Sequence, residues 1–374
     1  MPPLLRGFRI LVTLLGSAVD CPSKAGFLRK ASGALLREEF NMLAMVLEEI
    51  GPIESAPLRL REVPRPTPGP GEILVRVRTC AICRTDLHVI EGDLPRYRLP
   101  IIPGHQIVGV VEQVGEGAGR FRPGDRVGIA WLRYTCGTCR FCQAGRENLC
   151  ACARFTGYHH DGGFAEFAVV PEDFAYAIPP QFDDMDAAPL LCAGIIGYRA
   201  LSRANVPPGG KLALYGFGSS AHVVMQIALH RGYEVYVVSR GEKHRQLARE
   251  MGAFWVGESP SQLPIRVDSA ILFAPAGELV PAALERLEKG GTLAIAGIHL
   301  SPIPSLDYER CLFYERDLRS VTSNTREDGQ KLLEEAAQIP IRPRVTAYPF
   351  REANRALADL KADKISGTGV LVFE

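Results

Sequence analysis

Four cysteines crowd into one short segment: Cys136-Gly-Thr-Cys139-Arg-Phe-Cys142, then seven residues, then Cys150. Thiolates spaced C-x2-C-x2-C-x7-C can close a tetrahedron around one Zn²⁺, and a full set of four leaves no ligand position for a reactant. The first three are spaced as in ferredoxin-type iron–sulfur runs, although no x3-C-P continuation or second cluster follows. Three other segments carry metal-binding side chains: Cys83-Arg-Thr-Asp-Leu-His88, Pro103-Gly-His105-Gln106, and Cys192 within LLCAGIIG. Singly each is weak, because a lone buried Cys is ordinarily a small hydrophobe and a lone His a hydrogen-bonded core residue. A fifth segment, Gly216-Phe-Gly218-Ser-Ser-Ala221, reads G-x-G-x-x-A. Its glycines allow a tight turn and a close backbone approach to a pyrophosphate at a helix N-terminus.

The elements that must position these residues change rhythm along the chain. Strand-like runs at Ile73–Val77, Ile107–Val114, Arg126–Ala130 and Ala165–Val170 are separated by Gly- and Pro-rich turns, which predicts a β-rich, barrel-like first domain. From about residue 195 strands and helices alternate. LALYGFG (212–218) is a buried strand and turn, followed by a helix to His230, a strand Val235–Val238 and a helix Glu242–Met251. A strand Ser269–Ala274, a helix Glu278–Lys289, a strand Thr292–Gly297 and a helix over 326–337 follow. These are βαβ units of a doubly wound parallel sheet, so the fold class is α/β. G-x-G-x-x-A then sits where a dinucleotide fingerprint must sit.

An acidic residue about 20 positions after that fingerprint would bind the 2′-hydroxyl of NAD. Val237-Val238-Ser239-Arg240 stands there instead. No carboxylate repels a phosphate, and Ser239 with Arg240 could receive one, so NADP(H) is favoured over NAD. The other reading is a solvent-facing Ser-Arg turn, with Glu242 opening the next helix and Lys243 and Arg245 joining the phosphate patch or facing water. Phe273, Ala274, Ala296 and Gly297 lie at the ends of later strands, where an open α/β sheet places its ligands.

With 374 residues, 47% hydrophobic, the chain is long enough for two to three domains with real cores. A net charge of +1 argues against a dominant basic face for nucleic acid. Ten cysteines, four of them clustered, suggest metal and a reducing, cytoplasmic setting rather than a disulfide scaffold. No stretch approaches the roughly 18 apolar residues of a membrane span. Ile10–Val19 is a weak candidate for a signal-peptide core with no cleavage site after it. Residues 1–41 are expected to be an N-terminal extension, disordered or a mis-called start.

CRTDLH, PGHQIVGVVEQVG, RPGDRVG, the four-cysteine lobe, DGGFAEF and LLCAGIIGYRAL occur in the order found in zinc-dependent medium-chain alcohol dehydrogenases. The chain resembles that family from about Met45 to its C-terminus. The resemblance implies a GroES-like catalytic domain (42–194 with 323–374, the structural-zinc lobe at 131–153) and a Rossmann domain (195–322). It implies two zinc ions, one structural on Cys136, Cys139, Cys142 and Cys150, and one catalytic on Cys83, His105 and Cys192. Three ligands leave a fourth position for the reactant's oxygen. Asp86 resembles the carboxylate that orients the ligand His. Thr85 would pass the alcohol's proton through the cofactor ribose to His88, unless the two form a helix N-cap pair. Arg84 resembles a pyrophosphate contact.

Two positions depart from the family. Gln106 replaces the usual Glu beside the ligand His, and the family's late pyrophosphate Arg falls at Thr368. Cys192 without that Glu favours simple alcohols over polyols. Trp131 and Leu94 are expected to line the substrate channel, with Tyr97 and Leu99 beside them. The implied reaction is reversible oxidation of primary or secondary alcohols by a homodimer or homotetramer. Reduction of another carbonyl or of an activated double bond is an alternative on the same fold. A non-enzymatic zinc ribbon is a further one, weakened because Arg140 and Arg146 are the only basic residues between Cys136 and Cys150.

Overall fold

A computed structural model describes residues 41–95, 98–339 and 341–374. Tyr97 and residues 1–40 of the extension expected over 1–41 lie outside the described residues, while Asn41 already belongs to the first strand. A hairpin of β1 (Asn41–Leu47) and β2 (Leu58–Pro64) comes first, then β3 (Glu72–Ala81), α1 (Arg84–Glu91), β4 (Gln106–Val114) and β5 (Arg126–Ile129). Next come β6 (Leu132–Tyr134), α2 (Arg140–Gln143), β7 (Arg154–Phe155), β8 (Phe167–Pro171), β9 (Ala175–Ala177) and α3 (Asp184–Pro189). A π-type turn over Leu190–Gly194 leads into α4 (Ile195–Ala204). The second half runs β10 (Lys211–Tyr215), α5 (Ser219–His230), β11 (Glu234–Val238), α6 (Glu242–Glu250), β12 (Trp255–Gly257) and β13 (Val267–Leu272). It continues α7 (Leu279–Glu285), β14 (Leu287–Ile295), α8 (Tyr308–Cys311), β15 (Asp317–Ser320) and α9 (Arg326–Gln338). The chain closes with β16 (Val345–Pro349), α10 (Ala353–Lys361) and β17 (Thr368–Val372).

Two sheets organise these elements. One has the order β16-β17-β3-β4-β5-β9, with β8 also paired to β3. Its last two strands in sequence thus join the edge of a sheet built from the first half of the chain. The other is parallel, in the order β12-β11-β10-β13-β14-β15. Numbered from β10, that is the 3-2-1-4-5-6 order of a dinucleotide-binding sheet, whose ligand crevice lies where the order reverses, between β10 and β13. Strands of this sheet are buried on both faces and read as unbroken apolar runs, as in Leu212–Tyr215 and Val235–Val238.

One buried cluster joins Ala81 and Val108 of the first sheet, and Ala130 just beyond β5, to Leu190, Leu191, Leu212 and Leu214. The segment carrying Cys192 is therefore packed against both sheets. Several expected bounds shift by a residue or two, and the largest difference is at α7: the helix expected over Glu278–Lys289 ends at Glu285, and Leu287 opens β14. Leu287 is fully buried and pairs with Val267, while Val267 N–H donates to Arg286 O at 2.9 Å, so the sheet takes a backbone that local periodicity assigns to the helix.

A candidate metal and cofactor site

Cys83 ends the approach from β3 and is the N-cap of α1, in extended backbone (φ −144, ψ 178). Its Sγ accepts the Thr85 N–H at 3.3 Å, and Asp86 Oδ2 accepts the Cys83 N–H at 2.8 Å. A capping box is normally a Ser/Thr device; here it presents a sulfur. Because Cys83 and Asp86 make the cap, Thr85 and His88 are not spent on it. His105 stands just before β4 after Gly104, whose φ is +94 and where a Cβ would lie 2.4 Å from the Phe164 ring, so only glycine fits. Cys192 sits on the π-type turn, a distortion common at functional sites. The ligand atoms of Cys83, His105 and Cys192 lie within 4.8 Å of one another.

Asp86 Oδ1 is 3.0 Å from His105 Nδ1, with both side chains essentially buried. This leaves His105 Nε2 facing Cys83 Sγ at 3.4 Å, the orientation a metal ligand needs. A hydrogen bond from Cys192, together with His105, holds the Cys83 thiol well below its ordinary range. Burial pushes His105 down, but Asp86 and Cys83 outweigh it and raise the imidazole to about 10. A cation entering the cluster would displace that proton and take its place between the sulfurs and the imidazole. Two thiolates and one neutral imidazole fit Zn²⁺ with a position to spare.

The four lobe cysteines also converge. Sγ–Sγ separations are 4.0 Å for Cys136–Cys142, 3.6 Å for Cys139–Cys142 and 3.6 Å for Cys150–Cys136. A zinc tetrahedron with ~2.3 Å bonds has sulfur–sulfur edges of about 3.8 Å. The gap admits one ion and not an iron–sulfur cluster. The Cys139 N–H donates to Cys136 Sγ and the Cys136 N–H to Cys150 Sγ, both at 3.4 Å.

The fingerprint turn follows β10. Gly216 has φ +89, and a Cβ there would lie 2.9 Å from Ala274 N; Gly218 is the N-cap of α5, with open space beside it. Ala221 is fully buried in the first turn of the helix. Ser239 and Arg240 follow β11, Phe273 follows β13, and Ala296 and Gly297 follow β14, so all line the same sheet edge. Ser219 and Thr368 share a hydroxyl–hydroxyl bond, so the residue standing for the late arginine is buried against the start of α5. Arg245 does not face water. Its guanidinium folds back onto the carbonyls of Ser239 and Arg240.

Trp131 meets the His105 ring edge-on (centroids 4.9 Å apart) and stacks on Phe155 (4.8 Å, 11°) and Tyr158 (6.0 Å, 20°). Leu94 and Leu99 line a small apolar cavity that Tyr158 also borders. Phe155 and Tyr158 carry no signal in the sequence that marks them as part of this wall. Arg84 is exposed at the start of α1, and His88 Nδ1 faces Asp93 Oδ2 at 2.7 Å with the His299 ring 6.0 Å away.

Residues 69–180 match the family model described as "Alcohol dehydrogenase GroES-like domain", and residues 218–338 match "Zinc-binding dehydrogenase". The chain is 51% identical to a Mycobacterium tuberculosis protein described as "Probable alcohol dehydrogenase AdhA", over 89% of this chain and 97% of that one. It is similar to a cobalt- and zinc-bound thermostable alcohol dehydrogenase from Pyrobaculum aerophilum (TM-score 0.81, 28% identity, 89% of this chain and 100% of the other). It is also similar to the Helicobacter pylori CAD complexed with NADP(H) (TM-score 0.78, 25% identity, 89% and 97%). The chain belongs to the zinc-dependent alcohol dehydrogenases of the medium-chain dehydrogenase/reductase family, with a GroES-like part and a Rossmann-type parallel sheet.

Proposed function

We propose that this protein interconverts simple primary or secondary alcohols with aldehydes or ketones, using NADP(H) in preference to NAD(H). The observation that carries the reading is the buried convergence of Cys83, His105 and Cys192, with Asp86 fixing the imidazole. Those three residues would hold the catalytic zinc, and Cys136, Cys139, Cys142 and Cys150 a structural one. When bound, the metal polarises the reactant's carbon–oxygen bond and the nicotinamide exchanges hydride with its carbon.

The remaining work belongs to the chain. Asp86 keeps the His105 proton on Nδ1. Thr85 would accept the hydroxyl proton of the alcohol, and His88, held by Asp93, would release it to solvent. Gly216, Gly218 and Ala221 admit the pyrophosphate at the start of α5, with Arg84 beside it. Ser239 and Arg240 receive the 2′-phosphate, while Phe273, Ala296 and Gly297 border the nicotinamide half. Trp131 forms the wall against which the substrate's carbon chain rests, with Leu94 further out. We place the catalytic domain at 42–194 with 323–374 and the cofactor domain at 195–322. A homo-oligomer is supported by the exposed aromatic cluster Tyr308, Phe313 and Tyr314, and a cytoplasmic setting by the two thiolate-rich sites.

The test is a panel of alcohols and aldehydes with each cofactor, followed by nicotinamide absorbance, with metal analysis of the same sample. Wild-type protein is expected to turn over with NADP(H), and Cys83→Ser to lose activity and one metal ion per chain. Full activity in Cys83→Ser overturns the assignment.

A further inference from the structure

Arg245 lies in the first turns of α6, with its side chain 14% exposed, and bends back over the link between β11 and α6. Its Nη1 donates to Ser239 O at 2.9 Å and to Arg240 O at 2.7 Å. Its Nε donates to Glu242 Oε2 at 2.9 Å, and Nη2 bonds the same carboxylate. One guanidinium thus ties two successive carbonyls and the acid closest to them.

The planar trans peptide gives this a consequence for binding. In each unit the C=O and the next N–H point in opposite directions. With the Ser239 and Arg240 carbonyls turned toward Arg245, the N–H groups of Arg240 and Gly241 are turned away from it. Among the described residues neither has an acceptor in the protein. Ser239 is 8% exposed, and its hydroxyl likewise has no partner among the described residues. Glu242, whose charge would oppose a phosphate, is held by Arg245 and by Arg249 at 2.9 Å. Arg240 itself is exposed at the surface.

We propose that Arg245 is a specificity-positioning residue for the 2′-phosphate of NADP(H), acting through the Ser239–Gly241 backbone and by neutralising Glu242. This rests on the NADP(H) reading of the site. The effect is confined to that end of the cofactor, because the pyrophosphate turn has its own support: His244 Nδ1 donates to Phe217 O at 2.6 Å. Both cofactors share the pyrophosphate, and only one carries the 2′-phosphate.

The experiment titrates zinc-loaded full-length protein with NADPH and NADH separately, following protein fluorescence, so that binding is read without turnover. In Arg245→Met the NADPH dissociation constant is expected to rise about tenfold or more while that for NADH moves less than about twofold. Arg245→Lys keeps the charge but not the fork, and is expected to fall between the two; it carries the test if Arg245→Met does not fold. Arg240→Ala checks the underlying reading, since it must weaken NADPH selectively. If Arg240→Ala is selective but both Arg245 variants shift NADPH and NADH equally, or neither, the positioning role is overturned and the cofactor reading stands. If Arg240→Ala leaves NADPH binding unchanged, both fall.

Discussion

Asp86 holds two candidate zinc ligands at once: Oδ2 accepts the Cys83 N–H at 2.8 Å while Oδ1 meets His105 Nδ1 at 3.0 Å. A carboxylate can accept on both oxygens; an amide of the same shape accepts on one and donates from the other. In Asp86→Asn one of the two N–H donors must therefore face another donor in a buried setting. Zinc affinity is expected to fall about 10- to 100-fold, with activity falling alongside it. Competition with a chelator measures the first independently of turnover. Wild-type zinc retention in that variant would mean the carboxylate does not organise the ligands.

The four-cysteine lobe is tied to the start of α9. Glu147 accepts from the Arg326 N–H at 2.8 Å and from its guanidinium at 2.8 and 3.1 Å, and Asn148 Nδ2 donates to Thr322 O at 2.8 Å. Cys150→Ser should lose the lobe's ion while the Cys83 centre keeps its own, and the melting temperature should drop because α9 loses its support. Glu147 adds a pH signature. Burial raises its pKa, but the bonds from Arg326 outweigh this and hold it below the ordinary carboxylate value. The pair stabilises the fold above the ordinary carboxylate range, and that contribution is lost as pH falls through the lowered value.

What could be read from the sequence depended on how local it was. The four-cysteine lobe and the G-x-G-x-x-A turn lie within single short segments, so spacing alone displays their chemistry. Cys83, His105 and Cys192 come from a helix cap, a strand start and a π-type turn, and only the order of motifs seen in the family linked them. Side-chain direction was less legible still. Nothing in the sequence says that Arg245 turns inward or that Trp131 stacks on Phe155 and Tyr158, because both depend on what packs around them. Leu287 shows the same limit in the backbone: its periodicity continues α7, and pairing with Val267 makes it strand.

His222 gives the fold a second acid-sensitive element. It is fully buried in α5; its Nε2 accepts the Arg344 N–H at 3.1 Å, so the proton sits on Nδ1, which faces Gly218 O at 3.2 Å. Burial lowers its pKa to about 4 from an ordinary 6.5, against the opposing pull of the Gly218 and Ser219 backbone. A folded-state pKa lower than the unfolded one means the stability is complete above 6.5 and declines as pH falls toward 4. The decline is worth about 3 kcal/mol. His222→Gln can donate to Gly218 and accept from Arg344 without titrating. Its melting temperature should depend less steeply on pH across that window than the wild type's; an identical slope would remove His222 as the cause.

Gln106 is completely buried, and neither Oε1 nor Nε2 has a hydrogen-bond partner among the described residues. Strand alternation puts its side chain on the same face of β4 as Val108, which packs in the cluster containing Leu190 and Leu191, beside Cys192. An amide left unpaired there costs about 1–3 kcal/mol. An apolar side chain of similar volume avoids that cost, so Gln106→Met is expected to melt a few degrees higher than wild type. A residue kept at a cost to stability next to His105 should matter to the reaction, so the same variant is expected to turn over more slowly. Thermal melts of metal-loaded protein alongside kcat test both halves. A lower melting temperature in Gln106→Met would show that the amide has a partner in the folded protein, and unchanged kcat would separate it from the chemistry.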